Sequence, residues 1–240
     1  MGEALGYALV AALGNVLGAL AVTRRAAASL KAIEYFIAFG AGFMVAVAII
    51  EVLPEAFLRS GTLAAPLVLL GYLGVHLTQH ALTPHFHFGV ETHHIRPLAG
   101  TSALIGLLLH TFFDGVAIAS GFLVRPELGI LLFLAVLLHK LPEGVTVSSL
   151  MLAAGRSAKQ ALGAGALLGV ATIAGVVLTD RLSFLAHHGL ALAGGVTLYV
   201  ATSNLVPEFQ GKPGWRLPAA FFGGAGLFWA TKLVLDGAAR

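Results

Sequence analysis

Apolar residues fill this chain in eight long runs, near residues 4–22, 33–57, 62–82, 99–123, 127–152, 159–179, 186–209 and 214–235. Proline, glycine and charge separate the runs, and each approaches the roughly 20 residues that a helix needs to cross the hydrocarbon core of a bilayer. The pattern predicts an all-α membrane protein of eight transmembrane helices forming one domain over residues 1–240. With eight spans both termini lie on one side. Eight of the Lys and Arg residues fall on one face of the membrane and five on the other, with Lys140 inside a span. This positive-inside bias predicts both termini outside.

Two runs carry more than hydrocarbon. Leu107 to Phe122 (LLLHTFFDGVAIASGF) contains His110 and Asp114, and Leu138 to Leu152 (LHKLPEGVTVSSLML) contains His139 and Glu143. Residues at i and i+4 share a helix face, so each run presents an imidazole beside a carboxylate, followed at once by Gly115 or Gly144. Asp114, Lys140 and Glu143 together oppose membrane insertion by roughly 7 to 10 kcal/mol, so they demand partners. The runs also repeat each other: His110, Asp114, Gly115, Val116 and Ser120 map onto His139, Glu143, Gly144, Val145 and Ser149 at a constant offset of 29 residues. Antiparallel neighbours would bring the two half-sites face to face, where four ligands can converge on one ion. Imidazole and carboxylate suit zinc, iron and manganese without selecting strongly among them. The bland alternative is a cluster whose members hydrogen-bond one another, with Lys140 paired to Glu143 at i+3.

A second repeat joins the ends of the chain. Gly42 to Phe57 (GFMVAVAIIEVLPEAF) resembles Gly195 to Phe209 (GVTLYVATSNLVPEF), with Pro54 over Pro207 and Glu55 over Glu208 at an offset of 153. The two segments lie on the second and seventh spans, which cross in opposite directions. This predicts an inverted repeat of spans 1–3 and 6–8 around the central fourth and fifth, a transporter signature. Pro54, Pro142 and Pro207 each remove a helical hydrogen bond and free the carbonyl of Ile50, Leu138 or Ser203.

Composition agrees with the pattern. The chain is 58% hydrophobic and 10% charged, with a mean hydropathy of +0.92. Thirty glycines suit close helix packing in lipid. The absence of cysteine removes thiolate metal sites, and the net charge of +3 without a basic tract argues against nucleic acid. No basic stretch precedes the first run, which argues against a cleaved signal peptide. His76, His80, His85, His87, His93 and His94 crowd the end of the third span and a loop at 83–98, expected to be cytoplasmic. Loose metal binding and a solvated polar loop account for them equally well. For His187 and His188, solvated surface is the simpler account.

The runs HTFFDG, from His110 to Gly115, and HKLPEG, from His139 to Gly144, resemble the fourth- and fifth-helix motifs of the ZIP (Zrt-, Irt-like protein) divalent-metal transporters. Eight helices, a His-rich loop after the third, and Pro-Glu endings on the second and seventh extend the resemblance over essentially the whole chain. It implies uptake of a divalent metal into the cytosol across the cell (plasma or inner) membrane, with zinc first and iron, manganese or cadmium as alternatives. It assigns ligand roles to His110, Asp114, His139 and Glu143, with Met44 at a second-helix ligand position. The expected partners are the ion, the lipid bilayer and, as an open option, a second copy in a homodimer. The chain also departs from the family. Thr111 and Lys140 stand where relatives often frame a second metal, so one ion is expected at the centre. Glu51, Ser203 and Asn204 occupy other candidate positions along the ion's route. The rivals to transport are a metal-dependent intramembrane hydrolase, although H-E-x-x-H is absent, and a metal sensor without flux.

Overall fold

The computed structural model describes residues 2–24, 30–81 and 97–238. Ten α-helices follow one another: α1 (Gly2–Thr23), α2 (Leu30–Val47), α3 (Leu53–Ser60), α4 (Ala64–Ala81), α5 (Pro97–Val124), α6 (Pro126–Ala153), α7 (Ala158–Arg181), α8 (Ser183–Tyr199), α9 (Pro207–Gln210) and α10 (Arg216–Ala238). No strand occurs among the described residues. Among the described residues, seven helical stretches are long and apolar enough to cross a membrane. One of them, Ala32–Gln79, is 48 residues long. At 1.5 Å per residue that is about 70 Å, more than twice the hydrocarbon thickness. It is interrupted at Gly61, whose φ of 53° lies where glycine is favoured. The loop at 83–98 falls almost wholly outside the described residues, and with it His85, His87, His93 and His94.

Local sequence explains several boundaries. A single extended residue, Arg125, separates α5 from α6, and so short a connection makes them antiparallel neighbours. Pro126 opens α6, where its fixed φ is already helical. Ser157 and Gln160 form a reciprocal capping box at the start of α7.

The two outer prolines act alike. Residues Ala48–Val52, before Pro54, and Val200–Leu205, before Pro207, form π-helical turns. In each, the residue before the proline donates its N–H five residues back, Leu53 to the Ala48 carbonyl and Val206 to the Ala201 carbonyl. Proline cannot donate and breaks the α-helical ladder, and the wider turn absorbs the break. At Pro142, by contrast, α6 continues as one helix.

Helices α1, α5, α6 and α7 pack on one another as a unit, while α2 pairs with α10 and α4 with α8; α5 against α8 and α2 against α6 join the parts. Glycines set the tightest seams. A Cβ at Gly144 would fall on the Asn15 carbonyl and one at Gly18 on the Leu141 carbonyl, so α1 and α6 touch backbone to backbone. A Cβ at Gly115 would fall on the Thr172 carbonyl and one at Gly175 on the Phe112 carbonyl, which closes α5 on α7 in the same way. Gly42 meets the Phe221 carbonyl of α10, and Gly195 meets the Val68 carbonyl of α4. The main apolar cluster, with Phe43, Met44, Leu131, Tyr199 and Phe228, lies between the four-helix unit and the outer pairs. α10 turns Phe222, Trp229, Leu233 and Val234 outward.

Candidate metal centre

α5 and α6 face each other through their polar turns. His110, Asp114, His139 and Glu143 each offer a ligand atom, and the four atoms lie within 4.8 Å of one another. All four side chains are buried. Nε2 of His110 is 3.4 Å from Asp114 Oδ2 and 3.7 Å from Glu143 Oε1. Nε2 of His139 is 3.3 Å from the same Asp114 oxygen. A tetrahedral ion with bonds near 2.0–2.1 Å sets its ligands about 3.3 Å apart, so the edges at Asp114 already have the length such an ion requires. The same distances sit at the long end of hydrogen bonding.

The ring of His139 is oriented from behind. Its Nδ1 lies 2.9 Å from the Ala135 carbonyl, which can only accept. Nδ1 therefore carries a proton, and the neutral ring that ligation requires turns the Nε2 lone pair toward the Asp114 carboxylate. Two acceptors facing each other across 3.3 Å make a natural place for a cation. His110 Nδ1 has no such partner among the described residues.

Lys140 completes the cluster. It is wholly buried, with Nζ 2.6 Å from Asp114 Oδ2 and 2.7 Å from Glu143 Oε2. Two carboxylates against one ammonium leave a net negative charge that a dication can offset, and in a water-poor interior that attraction is strong. Two neutral groups fix Glu143 further: Thr111 donates to Oε1 at 2.5 Å and Asn15 to Oε2 at 3.3 Å. Asn15 escaped the sequence reading. Its signal is present in retrospect, since it is the one amide inside the apolar run of the first helix, flanked by Gly14 and Gly18.

Met44 is buried in the main apolar cluster. Glu51, in the first π-turn, is buried and ion-paired with Arg125 and with Lys232, and Arg125 also reaches Glu55 at 3.3 Å. Ser203 is exposed and shares a 3.1 Å hydrogen bond with Tyr72. Asn204 is buried, and its Nδ2 has no partner among the described residues. The ring of His76 packs against Tyr199. His188 bonds Ser60 at 3.0 Å, and His187 lies 3.0 Å from the Ser183 carbonyl.

The sequence matches the family described as ZIP Zinc transporter over residues 89–230, a span that holds all four clustered His, Asp and Glu residues and leaves Asn15 outside. It is also 36% identical over 195 residues to the protein named Zinc transporter GufA of Myxococcus xanthus, an alignment that covers 76% of this chain and 71% of that relative.

Proposed function

The chain belongs to the ZIP family of zinc transporters, and on that premise we propose that it carries a divalent metal ion, zinc foremost, across the cell membrane into the cytosol. One ion binds between α5 and α6, with His110, Asp114, His139 and Glu143 as ligands. The observation that carries this reading is their four ligand atoms, converging within 4.8 Å in the buried interior of helices that are long and apolar enough to span a membrane.

The centre takes a single ion because Lys140 stands where a second would need a ligand. An ammonium has three donors and no acceptor, so it cannot ligate. Eight spans follow if Ala32–Gln79 turns back at Gly61. An inverted repeat is supported by the matching seams. Gly144 on Asn15 and Gly115 on Thr172, and Gly18 on Leu141 and Gly175 on Phe112, pair residues at constant offsets of 29 and 157. The twin π-turns sit at the offset of 153. On this reading α1, α2 and α4 correspond to α7, α8 and α10, with both termini outside.

Purified protein in liposomes loaded with a zinc-sensitive dye tests the function. Flux in the wild type, with about one zinc per chain by elemental analysis, and none in Glu143→Ala is the expected result. Undiminished flux from a well-folded Glu143→Ala would remove the site, and zinc binding without any flux would favour a sensor.

A further inference from the structure

We propose that Lys140 is a tethered cation that exchanges places with the transported ion. Its ammonium holds Asp114 and Glu143 while no metal is bound, and moves to the side-chain amide oxygen of Asn15, Oδ1, when the metal takes the two carboxylates. The inference rests on the ligand assignment above.

Three nitrogens crowd one oxygen. Asp114 Oδ2 accepts from Lys140 Nζ at 2.6 Å and lies 3.4 and 3.3 Å from the Nε2 atoms of His110 and His139. An ion seated between those imidazoles and the carboxylates claims the lone pairs that Lys140 uses. A dication and an ammonium on a shared oxygen repel strongly in a low-dielectric interior, and the ammonium cannot itself join the ligand sphere. Nζ must leave. Wholly buried, it then needs another acceptor.

Asn15 is placed to supply one. Its Nδ2 donates to Glu143 Oε2, the oxygen that Lys140 Nζ also reaches, so the two side chains meet there. Its Oδ1 is buried and has no partner. An amide oxygen without a donor in a dry interior is costly, and the displaced ammonium removes that cost. α1 also presents Gly14 to the lysine, where a Cβ would come within 2.9 Å of Lys140 Cβ, so Asn15 and Lys140 meet at one close helix contact. The device also sets specificity. Lys140 is attached and always present at its carboxylates, so a free monovalent cation gains nothing by replacing it, whereas a divalent ion with two imidazole ligands does. Because the ammonium returns as the ion departs, release never leaves two bare carboxylates.

Zn²⁺ binding to the purified full chain, measured by calorimetry, tests the exchange. Lys140→Met should bind at least tenfold tighter and turn over more slowly in liposomes. Asn15→Leu should bind several-fold weaker, and most of that loss should vanish in the Lys140→Met background, which a purely structural role for Asn15 would not produce. Equal or weaker binding by folded Lys140→Met, or losses that simply add, would overturn the exchange. If Lys140→Met does not fold, a structure of the zinc-loaded wild type decides: Nζ on Asn15 Oδ1 supports the proposal, and Nζ still bridging Asp114 and Glu143 beside the ion refutes it. Zinc affinity unchanged in His139→Ala/Glu143→Ala would instead overturn the ligand assignment, and the exchange with it.

Discussion

The half-sites on α5 and α6 each carry a histidine and a carboxylate in the same register, yet their surroundings differ. On α6, His139 is held by the Ala135 carbonyl, and Glu143 receives Thr111, Asn15 and Lys140. On α5, among the described residues, His110 Nδ1 has no partner and Asp114 is approached by the imidazoles and Lys140. Repetition accounts for where the ligands stand, while unrepeated neighbours decide how firmly each is held. The α6 half is thus the more fully hydrogen-bonded of the two among the described residues.

The largest effect should come where the halves are alike. Gly144→Val and Gly115→Val each drive a side chain into a facing carbonyl, so both should prevent folding, at a cost beyond the 1–3 kcal/mol of ordinary overpacking. Yield and monodispersity by size-exclusion chromatography would check this, and a well-folded variant of either would break the equivalence of the seams. Next comes the difference between the histidines. His139→Ala removes a pre-oriented ligand and His110→Ala a freer one, so zinc affinity should fall further in His139→Ala, by about tenfold more; equal losses would erase the contrast. Smaller still is Thr111→Val, which removes one donor to Glu143 while keeping shape, and should weaken zinc binding by about tenfold or less in the same titration.

These contrasts mark what was legible in the sequence. The half-sites could be read because a histidine and an acid four apart in an apolar run declare a shared face, and the repeated Pro-Glu endings pointed to the matched breaks in α2 and α8. That each break takes the form of a π-turn was not readable, since a proline reports a lost bond and not how the chain reroutes around it. Asn15 was missed because nothing about a single amide says which distant helix it faces. The ion pairs of Glu51 were not readable, because its partners, Arg125 and Lys232, come from two other elements brought to it only by the fold.

The mildest expected effect is on pH. Ligation needs neutral imidazoles and ionised carboxylates, so protons oppose loading on both halves. Zinc flux should decline as external pH drops from about 7 to about 5, across the range where histidine ordinarily titrates. Flux that rises instead, measured with the same dye, would show that protons drive transport.

The bond from Asn15 to Glu143 joins residues 128 positions apart in the chain. During synthesis at about 5 to 20 residues per second, α1 is made roughly 6 to 26 s before its partner exists. Over that interval the notch formed by Gly14, Asn15 and Gly18 has no α6 to receive it. Assembly of the centre therefore waits on the arrival of α6, and a ribosome stalled before residue 143 would leave α1 in the membrane with its polar contact unmade.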